Sequence, residues 1–194
     1  MDIAEAQRDV RVVYAGGFHG QVVASVLWLL AAGASMAISH TAGVVTLLAG
    51  GTLILPITTL VLRASGGPAS LPKGHPMARL AMQIAFTAPL GLLVAVAAAG
   101  YRMDWFFPAS MIIVGAHYLP FTFLYGMPLF AALGALLSLG GVALALWLPN
   151  TFPTGGWLTG CVLLAFAFLL RRSHRRSTGA DGNDTAVDTG GAQR

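Results

Sequence analysis

Charge is scarce in this chain. Of its 194 residues, 9% are Asp, Glu, Lys or Arg, where a soluble domain carries about 25%, and the mean hydropathy is +0.75. A water-soluble globule is excluded. The acids are Asp2, Glu5, Asp9, Asp104, Asp181, Asp184 and Asp188, so the long apolar stretches between Asp9 and Asp104 and between Asp104 and Asp181 hold no carboxylate. Paired-carboxylate catalysis and a carboxylate proton relay within them are excluded with it. Cysteine occurs once, as Cys161, which rules out an intramolecular disulfide. No Walker loop, HExxH, nucleophile elbow or dinucleotide fingerprint is present. Gly16, Gly17 and Gly20, beside Phe18 and His19, follow no strand and read as a flexible entry to the apolar sequence beyond.

What the chain does have is apolar sequence in pieces of membrane length. Runs at 21–39, 42–62, 80–99, 107–125, 127–148 and 154–170 each approach the roughly 20 residues that a helix needs to cross hydrocarbon. They predict an all-α fold, a polytopic transmembrane helix bundle of six spans. His40 and Thr41 join the first two spans and Gly126 the fourth and fifth, so both pairs are expected as tight antiparallel hairpins. Gly126 suits a left-handed helix end and Pro128 a first helical turn, while Pro149, Asn150 and Pro153 punctuate the approach to the sixth span.

Three units follow: a cytoplasmic amphipathic surface helix at 1–15, the six-helix domain at 16–170, and a basic anchor with a disordered cytoplasmic tail at 171–194. In the first, Ile3, Gln7, Val10 and Tyr14 recur at helical spacing, and Asp2 with Glu5 forms a capping-box pattern. In the last, Arg171, Arg172, His174, Arg175 and Arg176 precede a stretch rich in Gly, Thr, Asp and Ala with no large apolar residue beyond Val187. The Gly- and Pro-rich loop at 64–76 predicts no regular structure, with Lys73 and His75 in solvent or near headgroups. With both termini cytoplasmic, ten of the 11 Lys and Arg residues lie on the inner side and only Arg102 outside, as the positive-inside rule requires. That anchoring accounts for the basic excess, so no nucleic-acid partner is expected.

The residues suited to recognition concentrate in the fourth span. His117 lies ten residues past Phe107, about 15 Å into a core about 30 Å thick. Ser110, His117, Tyr118, Thr122 and Tyr125 share one side of this helix, and Pro120 frees the carbonyl of Ala116. On the first span Gln21, Ser25, Trp28, Ala32, Ser35 and Ser39 alternate by four and three, the spacing of a packing seam. On the third, Gln83 and Thr87 are one turn apart. A neutral polar pocket of His117, Tyr118, Thr122, Tyr125, Gln21, Ser35 and Gln83 is the candidate site. The competing reading makes His117 a structural group that bonds a neighbouring helix and locks the Pro120 kink. No cofactor or metal site is expected, since the spans offer only His117 and Cys161 as ligands. The pairs Gly156 with Gly160 and Gly134 with Ser138 signal close helix packing, within the chain or between copies. Trp105, Phe106, Phe107, Trp147 and Trp157 read as interfacial anchors on the outer side.

The run Gly115, Ala116, His117, Tyr118, Leu119, Pro120 and Phe121, preceded by Phe107 and Pro108 and followed by Tyr125 and Gly126, resembles a family of small bacterial six-span integral membrane proteins of unknown function. The resemblance extends from the amphipathic segment through the sixth span and leaves the tail outside. It implies a bacterial cytoplasmic membrane location and brings no substrate, cofactor or catalytic residue. The expected function is binding or transport of a neutral small molecule or lipid near His117. The alternative is a non-catalytic interaction or scaffold subunit whose partner is a second copy or another membrane protein. Enzymatic activity is not expected, because a lone histidine among hydroxyls lacks an acid and a metal set.

Overall fold

The structure, a computed structural model, describes residues 2–147 and 151–190, with side chains described as far as His174. Pro149, Asn150 and Arg194 lie outside the described residues, as do the side chains of Arg175 and Arg176. The helices are α1 (Ile3–Val13), α2 (Phe18–Ala37), α3 (His40–Ala64), α4 (Ala78–Tyr101), α5 (Phe106–Tyr125), α6 (Leu129–Leu146) and α7 (Thr154–Gly190). Short 3-10 turns at Ala15–Gly17 and Met103–Trp105 lead into α2 and α5. No strand occurs among the described residues. Six helices are long and apolar enough to cross a membrane.

Composition and burial run opposite to those of a soluble protein. The three least apolar spans, α2, α5 and α7, are the most buried, at 44%, 44% and 39% of their apolar windows; α3, among the most apolar, has only 6% inside the protein. Hydrophobicity here is spent on the exterior, which fits an outer medium of hydrocarbon. Polar and small residues make the interior contacts. Gln21, Ser25, Trp28, Ala32 and Ser35 are all buried, as the four-and-three spacing predicts, and Ser25 Oγ donates to the Gly160 carbonyl on α7 at 2.8 Å. Ser39 leaves the seam and caps α3, accepting from Ala42 N at 3.1 Å.

The small-residue pairs pack within the chain. A methyl group added at Gly160 would lie 2.6 Å from Leu29 of α2, and one at Gly115 on α5 would lie 2.7 Å from the Gly134 carbonyl on α6 and against Ser138 Oγ. These positions bring backbones together where any side chain would hold them apart.

Several expectations are corrected. Phe106 and Phe107 are fully buried rather than interfacial, because Phe152 folds back over the top of α5 and meets them at 6.3 and 5.1 Å between ring centroids. Trp147 and Trp157 do stay exposed, at 74% and 40%. His75 is buried, since the 64–76 loop folds under α1. Its Nδ1 accepts from Met77 N at 3.2 Å, and its Nε2 lies 3.5 Å from Asp9 Oδ2. The backbone of α7 is helical from Thr154 to Gly190.

The N-terminal helix forms with its capping box in place, Asp2 and Glu5 bonding reciprocally to backbone N–H groups. Beyond lying at the surface, it closes one end of the bundle. Gln7 Nε2 donates to the Phe123 carbonyl and Arg11 Nη1 to the Tyr125 carbonyl, each at 2.6 Å. These are two of the last four carbonyls of α5, which have no partner inside their own helix. Thr122 O is satisfied by the N–H groups of Gly126 and Met127, with Gly126 in the left-handed region at φ 62°. The corner from α1 into α2 is less free than its glycines suggest. Gly16 and Gly17 have φ of 62° and 85°, and an added methyl would lie 3.0 Å from His174 and from Phe130 respectively.

Candidate functional site

The polar face of α5 divides on folding into a dry half and an open half. In the dry half, Tyr118 donates its hydroxyl to Gln21 Oε1 at 2.7 Å, linking α5 to the start of α2 across the interior. Tyr125 is buried beside it, its ring 5.7 Å from Phe121 and 5.0 Å from Phe130. Thr122 Oγ1, Ser110 Oγ and Gln21 Nε2 are buried with no hydrogen-bond partner among the described residues. Such groups are costly in a low-dielectric interior. Gln21, Tyr118, Thr122 and Tyr125 therefore come together as expected, but as packed core.

Ser35 does not join them. It lies 14 residues further along α2 than Gln21, about 21 Å at 1.5 Å per residue, and its hydroxyl donates to the Ala32 carbonyl of its own helix at 2.7 Å. Facing the same side of a helix does not bring two residues to the same depth.

The open half is the seam between α4 and α5. His117 is half-buried there, its ring edge-on to Phe121 at 5.0 Å and to Tyr118 at 5.6 Å. Its Nδ1 lies 2.7 Å from Thr87 Oγ1, and the Thr87 hydroxyl donates to the Ile84 carbonyl one turn back on α4 at 2.8 Å. Thr87 and Gln83 are both exposed on α4. Gln83 forms no hydrogen bond among the described residues. Of the α4 pair, Thr87 meets His117; Gln83 remains outside the contact, exposed at the surface of the bundle.

Among the described residues, no three His, Cys, Asp or Glu side chains converge into a metal-binding group. The seam offers hydrogen bonding and apolar contact. A separate groove of about 230 Å³ lies between α5 and α6, lined by Trp105, Ala109, Ile112, Val142, Ala145 and Leu146; its lining includes neither His117 nor its partners.

Gln7, Arg11 and the His75–Asp9 contact carry structural weight that sequence reasoning missed. The signal for the first two was available: they are four residues apart on α1, hence on one helical face.

The stretch that matches a known family begins at the first residue of α1, includes all six apolar spans and ends one residue short of His174, leaving the tail outside. This is the extent the resemblance implied. No curated protein and no solved structure matches the chain. With the family's model covering residues 3–173, the chain belongs to DUF7010, a family of unknown function.

Proposed function

We propose that this multi-pass membrane protein binds or transports a neutral small molecule or lipid at the α4–α5 seam, in a bacterial cytoplasmic membrane with both termini on the cytoplasmic side. The observation that carries the reading is a polar stripe where an apolar surface is the norm. Gln83 and Thr87 are exposed and His117 is half-buried on spans whose outer faces are otherwise apolar. A polar amide without a partner in hydrocarbon costs several kcal/mol on scales in which nothing compensates it. A bound molecule that satisfies these groups recovers part of that cost, and Phe86 and Leu90, exposed at 60% and 65% on α4, supply apolar contact nearby. Binding rather than bond-making is proposed, because the seam presents one imidazole, one hydroxyl and one amide without an acid.

The test is photo-crosslinking in native membranes with a lipid-soluble diazirine probe, followed by peptide mapping. Labelling is expected at α4 and α5 around Gln83 and His117 and is expected to fall in Gln83→Leu and His117→Phe variants that retain their helical signal. Uniform labelling of all outward faces, unchanged by the two substitutions, would refute the reading. A crosslink from the seam to a second copy or to another membrane protein would support the interaction-subunit alternative instead. Reporter fusions at either end are expected to read out on the cytoplasmic side.

A further inference from the structure

The hydrogen bonds at His117 determine what kind of molecule the seam accepts. A threonine hydroxyl has one proton to donate, and that of Thr87 goes to the Ile84 carbonyl at 2.8 Å. Towards His117, 2.7 Å away, Thr87 can then act only as an acceptor. Nδ1 must carry the ring proton, and in the neutral imidazole Nε2 is left as a bare acceptor. Nε2 has no hydrogen-bond partner among the described residues. A carbonyl, ether or ester oxygen meeting it would set lone pair against lone pair. A hydroxyl donor would complete the chain from ligand through His117 and Thr87 to the α4 backbone.

Depth narrows the class further. His117 is 11 residues from Phe106 and eight from Tyr125, the ends of α5, so it sits about 16 Å from one end and 12 Å from the other. This is close to the middle of the apolar layer, beyond reach of a phospholipid headgroup held at the interface. The molecule must carry its hydroxyl into hydrocarbon on an otherwise apolar body. Gln83, one turn from Thr87 on α4, presents both a donor and an acceptor and so does not itself decide the sign.

We infer that the α4–α5 seam is selective for hydrophobic alcohols and phenols, recognised by donation of their hydroxyl to His117 Nε2. This rests on the proposal that the seam is a binding site, and it adds the class of ligand. Thr87 is a positioning residue: it fixes the tautomer and need not touch the ligand.

The experiment is solid-state NMR of the full-length, ¹⁵N-histidine-labelled protein in phosphatidylethanolamine–phosphatidylglycerol vesicles, titrated with farnesol or with farnesyl methyl ether. The His117 signals are assigned by their loss in His117→Phe. In the native protein His117 is expected to show a protonated Nδ1 and an unprotonated Nε2. Farnesol is expected to shift Nε2 saturably, with half-saturation about three- to tenfold below that of the ether, the factor one net hydrogen bond supplies. Thr87→Val, with the helical signal checked by circular dichroism, releases the tautomer, and the preference is expected to collapse towards unity. A proton on Nε2 in the native protein would overturn the inference, as would equal response to the two probes; the latter leaves the seam as a binding site. If neither probe moves the ring while crosslinking still maps to the seam, selectivity for hydroxyls is wrong. If crosslinking is also absent, the site itself is wrong.

Discussion

Removing the Arg11 side chain is expected to loosen the whole end of the bundle that α1 closes. Arg11 Nη1 donates to Tyr125 O at 2.6 Å, from a part-buried position, at the terminus where α5 gathers its partial negative charge. A hydrogen bond involving a charged group contributes about 1.5–3 kcal/mol, of which the favourable placement at a helix C-terminus accounts for about 0.3–1. The bond is only part-buried, so the lower half of that range, about 1.5–2 kcal/mol, applies to Arg11→Ala. Gln7→Ala removes a neutral and more exposed bond, about 0.5–1 kcal/mol. Together they weaken docking of α1 by roughly 2–3 kcal/mol, or 30- to 150-fold. The assay is hydrogen–deuterium exchange in nanodiscs, read on peptides from α1 and on the last turn of α5, alongside thermal unfolding. Faster exchange is expected on both, with spans α3 and α4 unchanged. Lys keeps the charge but not the planar fork, so Arg11→Lys is expected to restore only part of the loss. The exposed residue Lys73 supplies the control. Exchange in Arg11→Ala that matches Lys73→Ala, where a surface change costs about 0.5 kcal/mol or less, would show that the cap contributes nothing.

Two other substitutions test the interior. Gly115→Ala puts a methyl 2.7 Å from the Gly134 carbonyl and against Ser138; forcing α5 and α6 apart is expected to cost about 1–3 kcal/mol, seen as a lower unfolding temperature, and no change would mean the helices do not meet there. Tyr118→Phe strands Gln21 Oε1 in the interior and is expected to cost about 1–2 kcal/mol, whereas adding Gln21→Leu should recover much of it because both unpaired groups disappear. A double variant less stable than the sum of the two singles would contradict that pairing.

The spans were legible because the outer medium imposes a long, nearly charge-free pattern that no soluble helix needs. The α2 seam was legible for a related reason: its four-and-three spacing puts Gln21, Ser25, Trp28, Ala32 and Ser35 on one side, and all are buried. Depth was harder. Angular position grouped Ser35 with Gln21 although about 21 Å of helix separates them. Aromatic residues at a span end serve equally as anchors or as core, and the choice for Phe106 and Phe107 was made by Phe152, a residue far along the chain. His75 looked solvated because its loop is rich in Gly and Pro, yet α1 covers it, a contact that no local pattern records. At the candidate site, sequence identified His117 and the Gln83–Thr87 pair. It could not say that Thr87 spends its proton on Ile84, the bond that determines what His117 can accept.

Whether the outer surface of this bundle is built against hydrocarbon can be read at the native Cys161. It is the only cysteine in the chain, it is exposed, and it lies seven residues into α7, about 10 Å along the helix. A nitroxide attached there, with the protein in lipid vesicles, is expected to collide readily with oxygen, which concentrates in hydrocarbon, and hardly at all with a water-soluble nickel chelate. The opposite pattern, ready access to the nickel chelate, would place this face in water and contradict the account.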